Sequence, residues 1–101
     1  MVAKIHFVRL VITGLVLLAA GHGYAQDELR NTFFKEADAA KAAADTADAK
    51  LLAPRTYERG MKEYSDAELA LQRGRNIETV RSNAADATRY LSDAADKARL
   101  A

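Results

Sequence analysis

Carboxylates are the most plentiful groups in the chain that could perform chemistry, and two pairs of them share one spacing. Asp45 and Asp48 are three residues apart, and so are Asp93 and Asp96. Residues three apart lie on one face of a helix, so each pair could serve acid–base chemistry or hold a hard cation. A dimetal carboxylate bundle needs inward-facing glutamates with Glu-x-x-His, and the sequence contains no such motif. We therefore interpret these acids as residues of solvated helix faces.

Histidine and cysteine, the usual general base and the thiol nucleophile, are scarce in the chain. It contains two histidines, His6 and His22, and no cysteine. Both histidines lie in a segment that we predict to be removed, which would leave no strong transition-metal ligand. Met61 has no partner with which to hold haem, and no glycine-rich phosphate loop occurs. The sequence predicts a protein that is not an enzyme, with no catalytic, cofactor-binding or metal-binding residue and no cofactor.

The N-terminal segment has the order of a secretory signal peptide. Residues 1–9 carry positive charge, residues 10–20 read LVITGLVLLAA without a charge, and the next five residues are GHGYA. Gly23 and Ala25 stand where signal peptidase requires small side chains, so we predict cleavage after Ala25. An uncleaved membrane anchor and a buried core helix are the alternatives. A spanning helix needs roughly 20 apolar residues, about twice this run.

Cleavage would change the net charge of the chain. Loss of Lys4 and Arg9 lowers the number of lysines and arginines from 15 to 13, against 14 acidic residues, so the charge falls from +1 to −1. Such a chain has no strong field to attract nucleic acid or anionic lipid. We expect no nucleic-acid binding and no strong membrane binding after cleavage.

Alanine dominates residues 26–101, which we predict to form one helical domain. Pro54 suits the first turn of a helix, where its missing N–H costs nothing. Gly74 can adopt the left-handed conformation that ends a helix, and Asn76 can cap the next one. These three hinge residues divide the domain into helices at about 27–53, 54–73 and 77–100. The predicted fold is all-α, either a three-helix up-down-up antiparallel bundle or a coiled-coil hairpin, preceded by the signal peptide.

The apolar positions recur at alternating steps of three and four residues in the first and third helices. This spacing keeps one stripe of a helix against its neighbour. The second helix has a shorter and less regular stripe, made of Tyr57, Met61, Tyr64, Ala67 and Leu71. The predicted helix-packing seam comprises Phe33, Ala37, Ala40, Ala44, Ala47, Leu51, Tyr57, Met61, Tyr64, Leu71, Ile77, Val80, Ala84, Ala87, Leu91, Ala94 and Ala98.

Two further features have alternative interpretations. Gly60 either permits close contact between helices or is an ordinary tolerated glycine. The aromatic residues could stack on a ligand, but we favour hydrophobic anchors of the alanine seam, with the tyrosine hydroxyls at the water boundary. Those residues are Phe33, Phe34, Tyr57, Tyr64 and Tyr90.

Charged residues spaced three or four apart indicate solvated helix faces. Acid-first pairs four apart are Glu58 with Lys62 and Asp93 with Lys97, and Asp86 with Arg89 is three apart.

An alanine seam limits stability, because each methyl group buries little area at about 25 cal/mol per Å². Ordering each residue costs roughly 1.5 kcal/mol. We therefore expect the domain to be completed by self-association, as a homo-oligomer, or by an envelope protein partner.

The order of these features resembles a known family. FFKEADAAKAAADTADAKL is followed by LLAPRTYERGMKEYSDAELAL, a Gly/Asn break and SNAADATRYLSDAADKA. This resembles the helical domain of unknown function of bacterial envelope proteins, which often precedes an OmpA-like peptidoglycan-binding domain and is also found alone. The resemblance covers residues 29 to 100 and implies a location across the inner membrane, in the periplasm. It supplies no catalytic residue.

The chain departs from this family in two respects. Many relatives are lipoproteins, whereas here a glycine follows LLAA where the acylated cysteine would stand. The sequence also contains no OmpA-like domain, so peptidoglycan binding is not carried over.

Two functions therefore compete. The favoured one is a non-enzymatic periplasmic module that acts through self-association or partner docking. The alternative is a stress-protective, conditionally ordered protein, because AKAAADTADAK and SDAADKARLA are similar to late-embryogenesis-abundant sequences.

Overall fold

The computed structural model describes residues 27–101, and all regular secondary structure in that range is helical. The all-α fold class is confirmed. The predicted signal peptide and its cleavage site, Gly23 and Ala25, lie outside the described residues. The chain divides into two compact units, Met1–Arg30 and Asn31–Ala101. The second unit holds most of the described residues, and the described part of the first, residues 27–30, is helical.

Four helical segments occupy the described residues. Helix α1 covers residues 27–46 and is followed by a two-residue turn. A single-turn helix α2 covers Ala49–Leu52, α3 covers Pro54–Gln72 and α4 covers Ile77–Leu100. The ends of α3 and α4 lie within one residue of the predicted helices, whereas the first predicted helix is divided.

The break between α1 and α2 corrects the prediction of one helix over 27–53. Asp48 has φ 57° and ψ 37°, the left-handed conformation, which aspartate tolerates better than most residues. The chain stays hydrogen-bonded through the break, because Asp48 N–H donates to the Asp45 carbonyl and Leu51 N–H donates to the Asp48 carbonyl. The break redirects the chain so that α2 contacts both α3 and α4. Alanine spacing continues through this point, so the sequence pattern does not reveal it.

The three predicted hinge residues occupy the ends of helices. Pro54 is the first residue of α3. Gly74 has φ 65°, and the N–H groups of Gly74 and Arg75 donate to the carbonyls of Leu71 and Ala70 in a Schellman motif. The Asn76 side chain caps α4 by accepting from the backbone N–H of Glu78 at 2.8 Å.

The core of the second unit is built almost entirely from alanine. Its largest fully buried side chains are Phe34 from α1 and Val80 and Leu91 from α4. No polar or charged side chain of residues 27–101 is buried. Each of the three long helices contacts the other two: α1 meets α3 through Phe34 and Tyr64, α3 meets α4 at Gly60, and Arg81 of α4 lies over the Phe33 ring of α1.

Candidate functional site

Most of the predicted seam faces the core. The buried members come from all three long helices, and five others, at the edges of the core, are half-buried against it. The buried members are Ala37, Ala40, Ala44, Tyr64, Val80, Ala84, Ala87, Leu91, Ala94 and Ala98. The half-buried members are Phe33, Ala47, Tyr57, Met61 and Leu71.

The prediction is wrong for two seam residues, Leu51 and Ile77. Leu51 is 80% exposed, because the left-handed residue Asp48 resets the helical phase and turns Ala49 and Ala53 inward in its place. Ile77 is 51% exposed, because it is the first residue of α4 and precedes the first buried position, Val80.

Several core residues are absent from the predicted seam. Phe34 is fully buried, and its ring meets the Tyr64 ring edge-on, with centroids 5.3 Å apart and an interplanar angle of 67°. The sequence presents two adjacent phenylalanines, and only the packing distinguishes them. The other missed residues are Ala49, Ala53, Ala70 and Ala95, whereas Ala67, from the stripe predicted for the second helix, is fully buried.

Gly60 is a point of close contact between α3 and α4. A Cβ atom built on this buried glycine would lie 2.7 Å from Leu91 Cγ, 2.8 Å from Leu91 Cδ2 and 3.1 Å from the Leu91 backbone nitrogen. Carbon atoms prefer separations of about 3.5–4.0 Å. The absence of a side chain therefore makes room for Leu91, which decides between the two interpretations of this glycine.

Two aspartates of α1 accept hydrogen bonds from two tyrosines of α3. Tyr64 Oη donates to Asp38 Oδ1 at 2.5 Å, and Tyr57 Oη donates to Asp45 Oδ1 at 2.7 Å. Both the aspartates and the tyrosines are seven residues apart, so corresponding faces of the two helices meet twice. The sequence-based prediction does not include this double pair, although the two equal spacings are visible in the sequence.

At Asp45 the pKa values of three neighbouring groups shift together. The hydrogen bond from Tyr57 and then the one from Lys41, at 3.0 Å, lower the pKa of Asp45 below its ordinary value of 3.8. The hydrogen bond to Asp45 in turn raises the pKa of Tyr57 and of Lys41. All three groups are largely solvated, so the arrangement fixes a helix contact and holds no proton poised near neutral pH.

The two pairs of aspartates spaced three apart do not form a metal site. Residues 27–101 contain no group of three or more acidic or other ligating side chains positioned to hold a metal ion. Asp93 pairs with Lys97 at 3.2 Å and Asp96 with Arg99 at 3.3 Å, both on the surface of α4. Asp48 forms the break after α1. Asp93 and Asp96 are therefore paired with basic residues of α4, and Asp48 determines where α1 ends.

Several surface ion pairs of α1, α3 and α4 join residues of one helix, and one of them differs from the prediction. Asp86 with Arg89 and Asp93 with Lys97 occur as predicted, at 3.6 and 3.2 Å. Lys62 pairs with Asp66 at 3.2 Å, whereas the predicted partner is Glu58. Exposed pairs of this kind contribute only a few tenths of a kcal/mol.

Two arginines lie near the ring of Tyr90. The guanidinium carbons of Arg59, from α3, and Arg89, from α4, each lie 4.9 Å from the centroid of the ring. Cation–π contacts at exposed sites contribute about 0.5–1 kcal/mol. The contact from Arg59 links α3 to α4.

Within residues 31–101, large apolar side chains are exposed at two places. Leu51 and Leu52 on α2 are 80% and 48% exposed, and Leu100 at the end of α4 is 88% exposed. These three residues, here called the apolar end, lie at one end of the unit, because α2 contacts α4 and Lys97 Nζ donates to Thr56 Oγ1 at 3.1 Å.

The second place is the turn between α3 and α4. Leu69 and Ile77, 43% and 51% exposed, flank Arg73 and Arg75, and we call these four residues the basic tip. A groove of about 240 Å³ runs along it, with Asp66, Ala70, Thr79 and Asn83 also on its wall. Neither arginine of the tip has an acidic partner within ion-pair distance among residues 27–101. By contrast, six other basic residues of α1, α3 and α4 form ion pairs with an acid of their own helix.

No helix among the described residues is both long enough and apolar enough to cross a membrane. Comparison with protein-family models, with curated proteins and with solved structures finds no match to this chain. The resemblance to the helical envelope domain therefore stays a prediction.

Proposed function

We propose that this protein is a non-enzymatic helical module of the bacterial cell envelope, acting in the periplasm through self-association or by docking an envelope protein. The secretory order of residues 1–25 supports the location. The all-helical unit and the lack of histidine and cysteine after position 25 support a role in assembly. The apolar end is the observation that carries the proposal.

The topology that we propose for the module is a three-helix up-down-up antiparallel bundle. Residue numbers rise along one helix as they fall along its partner: Asp38 meets Tyr64 and Asp45 meets Tyr57, and on the other side Thr56 meets Lys97. The chain has no cysteine, so a cysteine pair replacing Thr56 and Lys97 provides an unambiguous test. A short cross-linker should join this pair within one chain, and a failure to do so in folded protein would rule out the antiparallel pairing.

The apolar end suits association because the rest of the unit offers few large side chains that could bury apolar surface. Its core consists mostly of alanine methyl groups, whereas Leu51 and Leu52 project two full leucine side chains into water. Fully burying a leucine stabilises by about 1.5–3 kcal/mol. The left-handed break at Asp48 creates this exposure, since a continuous helix would turn Leu51 toward the seam.

Sedimentation velocity over a range of concentrations tests self-association. We expect an oligomer that dissociates when Leu51 and Leu52 are both replaced by glutamine. The matched control replaces Leu69 and Ile77 by glutamine, which removes two exposed apolar side chains from the opposite end and should leave the oligomer intact.

Photo-cross-linking in cells tests partner docking, with the cross-linker at position 51 and, as control, at position 69. A discrete adduct at position 51 alone is expected. A concentration-independent monomer that gives no adduct at position 51 would refute both forms of the proposal.

The stress-protective alternative makes a different prediction for the free chain. Far-UV circular dichroism in plain buffer should show strong helicity with a cooperative melt for the bundle, and a coil spectrum for a conditionally ordered protein.

A further inference from the structure

We propose that the basic tip docks on an anionic lipid surface, so that α3 and α4 extend away from that surface. The charge of the tip is the first observation in support. Arg73 and Arg75 lie on either side of Gly74, and no acid of the described residues neutralises them. Two acidic residues of the neighbouring turns already have partners: Asp66 binds Lys62 at 3.2 Å and Glu78 binds Arg81 at 3.2 Å. Asp66 lines the groove of the tip but pairs with Lys62, so the two guanidinium groups of the tip have no ion-pair partner among the described residues.

Apolar side chains stand beside these charges. Leu69 and Ile77 lie on the last turn of α3 and the first turn of α4, and about half of each side chain is exposed. Aliphatic side chains next to arginines fit the boundary between lipid headgroups and acyl chains. There the aliphatic side chains enter the hydrocarbon, and the arginines bind the phosphate of the headgroups. A small soluble anion would use the arginines and leave the two aliphatic side chains without a role.

The attraction expected from two arginines is modest. Each basic residue near an anionic membrane surface strengthens binding by about fivefold, and salt screens the effect. Two arginines therefore hold the chain only weakly at an anionic surface, and rising salt should release it. Lipid docking by the tip does not depend on the apolar end, which lies at the opposite end of the unit.

The test uses the full chain and a single fluorophore that reports a water or lipid environment. Since the chain has no cysteine, a cysteine replacing the exposed Gln72 labels the tip, and one replacing the exposed Lys50 labels the opposite end. Each labelled protein is mixed with vesicles of phosphatidylglycerol and phosphatidylcholine, or of phosphatidylcholine alone. The matched variants are Arg73→Gln with Arg75→Gln and, as a control of equal charge change, Arg55→Gln with Arg99→Gln, two exposed residues at the opposite end.

We expect the label at position 72 to enter an apolar environment with the anionic vesicles and the label at position 50 to stay in water. The Arg73→Gln, Arg75→Gln variant should weaken the tip response by about 25-fold, and the control variant should not. Equal responses at both labels, an equal response with pure phosphatidylcholine, or an unchanged response in the tip variant would each overturn the proposal.

Discussion

Replacing Gly60 with alanine should improve helix propensity and worsen packing. The geometry around Gly60 decides whether the free energy of unfolding rises or falls. Alanine is favoured over glycine in a helix interior by about 1 kcal/mol. Against this gain, the added Cβ would lie about 1 Å too close to Leu91 Cγ and Cδ2. Rotation of the Leu91 side chain cannot relieve the contact fully, because the Leu91 backbone nitrogen lies 3.1 Å from the same point.

The cost should therefore exceed the gain. Overpacking a core typically costs about 1–3 kcal/mol, and Leu91 is fully buried with little room to move. We expect Gly60→Ala to lower the free energy of unfolding by about 1–2 kcal/mol net. Urea unfolding followed by circular dichroism measures this change.

A double-mutant cycle separates the clash from other effects. Leu91→Ala alone should cost about 2–5 kcal/mol, because it empties part of an alanine core. In that background, Gly60→Ala should cost less or become stabilising, which gives a coupling free energy of about 1–3 kcal/mol. All four proteins are compared in the same stabilising osmolyte, so that the weakest stays folded.

Gly74→Ala is the matched control. No atom lies within 4 Å of the position of its added Cβ, but its φ of 65° disfavours a side chain. It should cost about 1–2 kcal/mol, the penalty of left-handed backbone, and show no coupling to Leu91→Ala. A stabilising Gly60→Ala in the wild-type background, or equal effects with and without Leu91, would refute the reasoning.

Three further predictions concern the break, the Asp45 cluster and the N-terminus. Asp48→Gly should be more stable than Asp48→Ala by about 1–2 kcal/mol, because only alanine crowds the left-handed backbone; a more stable alanine variant in urea unfolding would mean that the break is dispensable. Tyr57→Phe should raise the pKa of Asp45 toward 3.8 in a carboxyl NMR titration. The lowered pKa gives stability that is present above the unfolded value and lost as pH falls through the folded one, so this acid-sensitive contribution should shrink, and an unchanged pKa would exclude the hydrogen bond as its cause. Mass spectrometry of the exported chain should find Gln26 at its N-terminus, and an intact Met1 would contradict cleavage after Ala25.

The sequence predicted well the helix ends that depend on the chemistry of a few neighbouring residues. Pro54 fixes its own φ and lacks a donor, Gly74 adopts a conformation costly for other residues, and Asn76 carries a short side chain that accepts from a nearby N–H. Each effect acts within a few residues. The break at Asp48 has no comparable signal, because aspartate occurs equally within the helical stretches of this chain.

The exposure of Leu51 shows how one backbone conformation can reverse a periodic pattern. The steps of three and four run unbroken from Phe33 to Leu51 in the sequence. The left-handed residue ahead of α2 changes the phase, so alanines turn inward and leucines outward. Periodicity assumes continuous helix, and it fails where that assumption fails.

By itself, the sequence determined the all-α class, the ends of α3 and α4, and most of the alanine seam, because propensity, capping and periodicity act over one or two helical turns. Only the tertiary structure decided which side chain packs against Gly60, which tyrosines bind Asp38 and Asp45, and which leucines remain exposed to water. These features depend on the register between helices distant in sequence, and that register is set by packing of the whole unit.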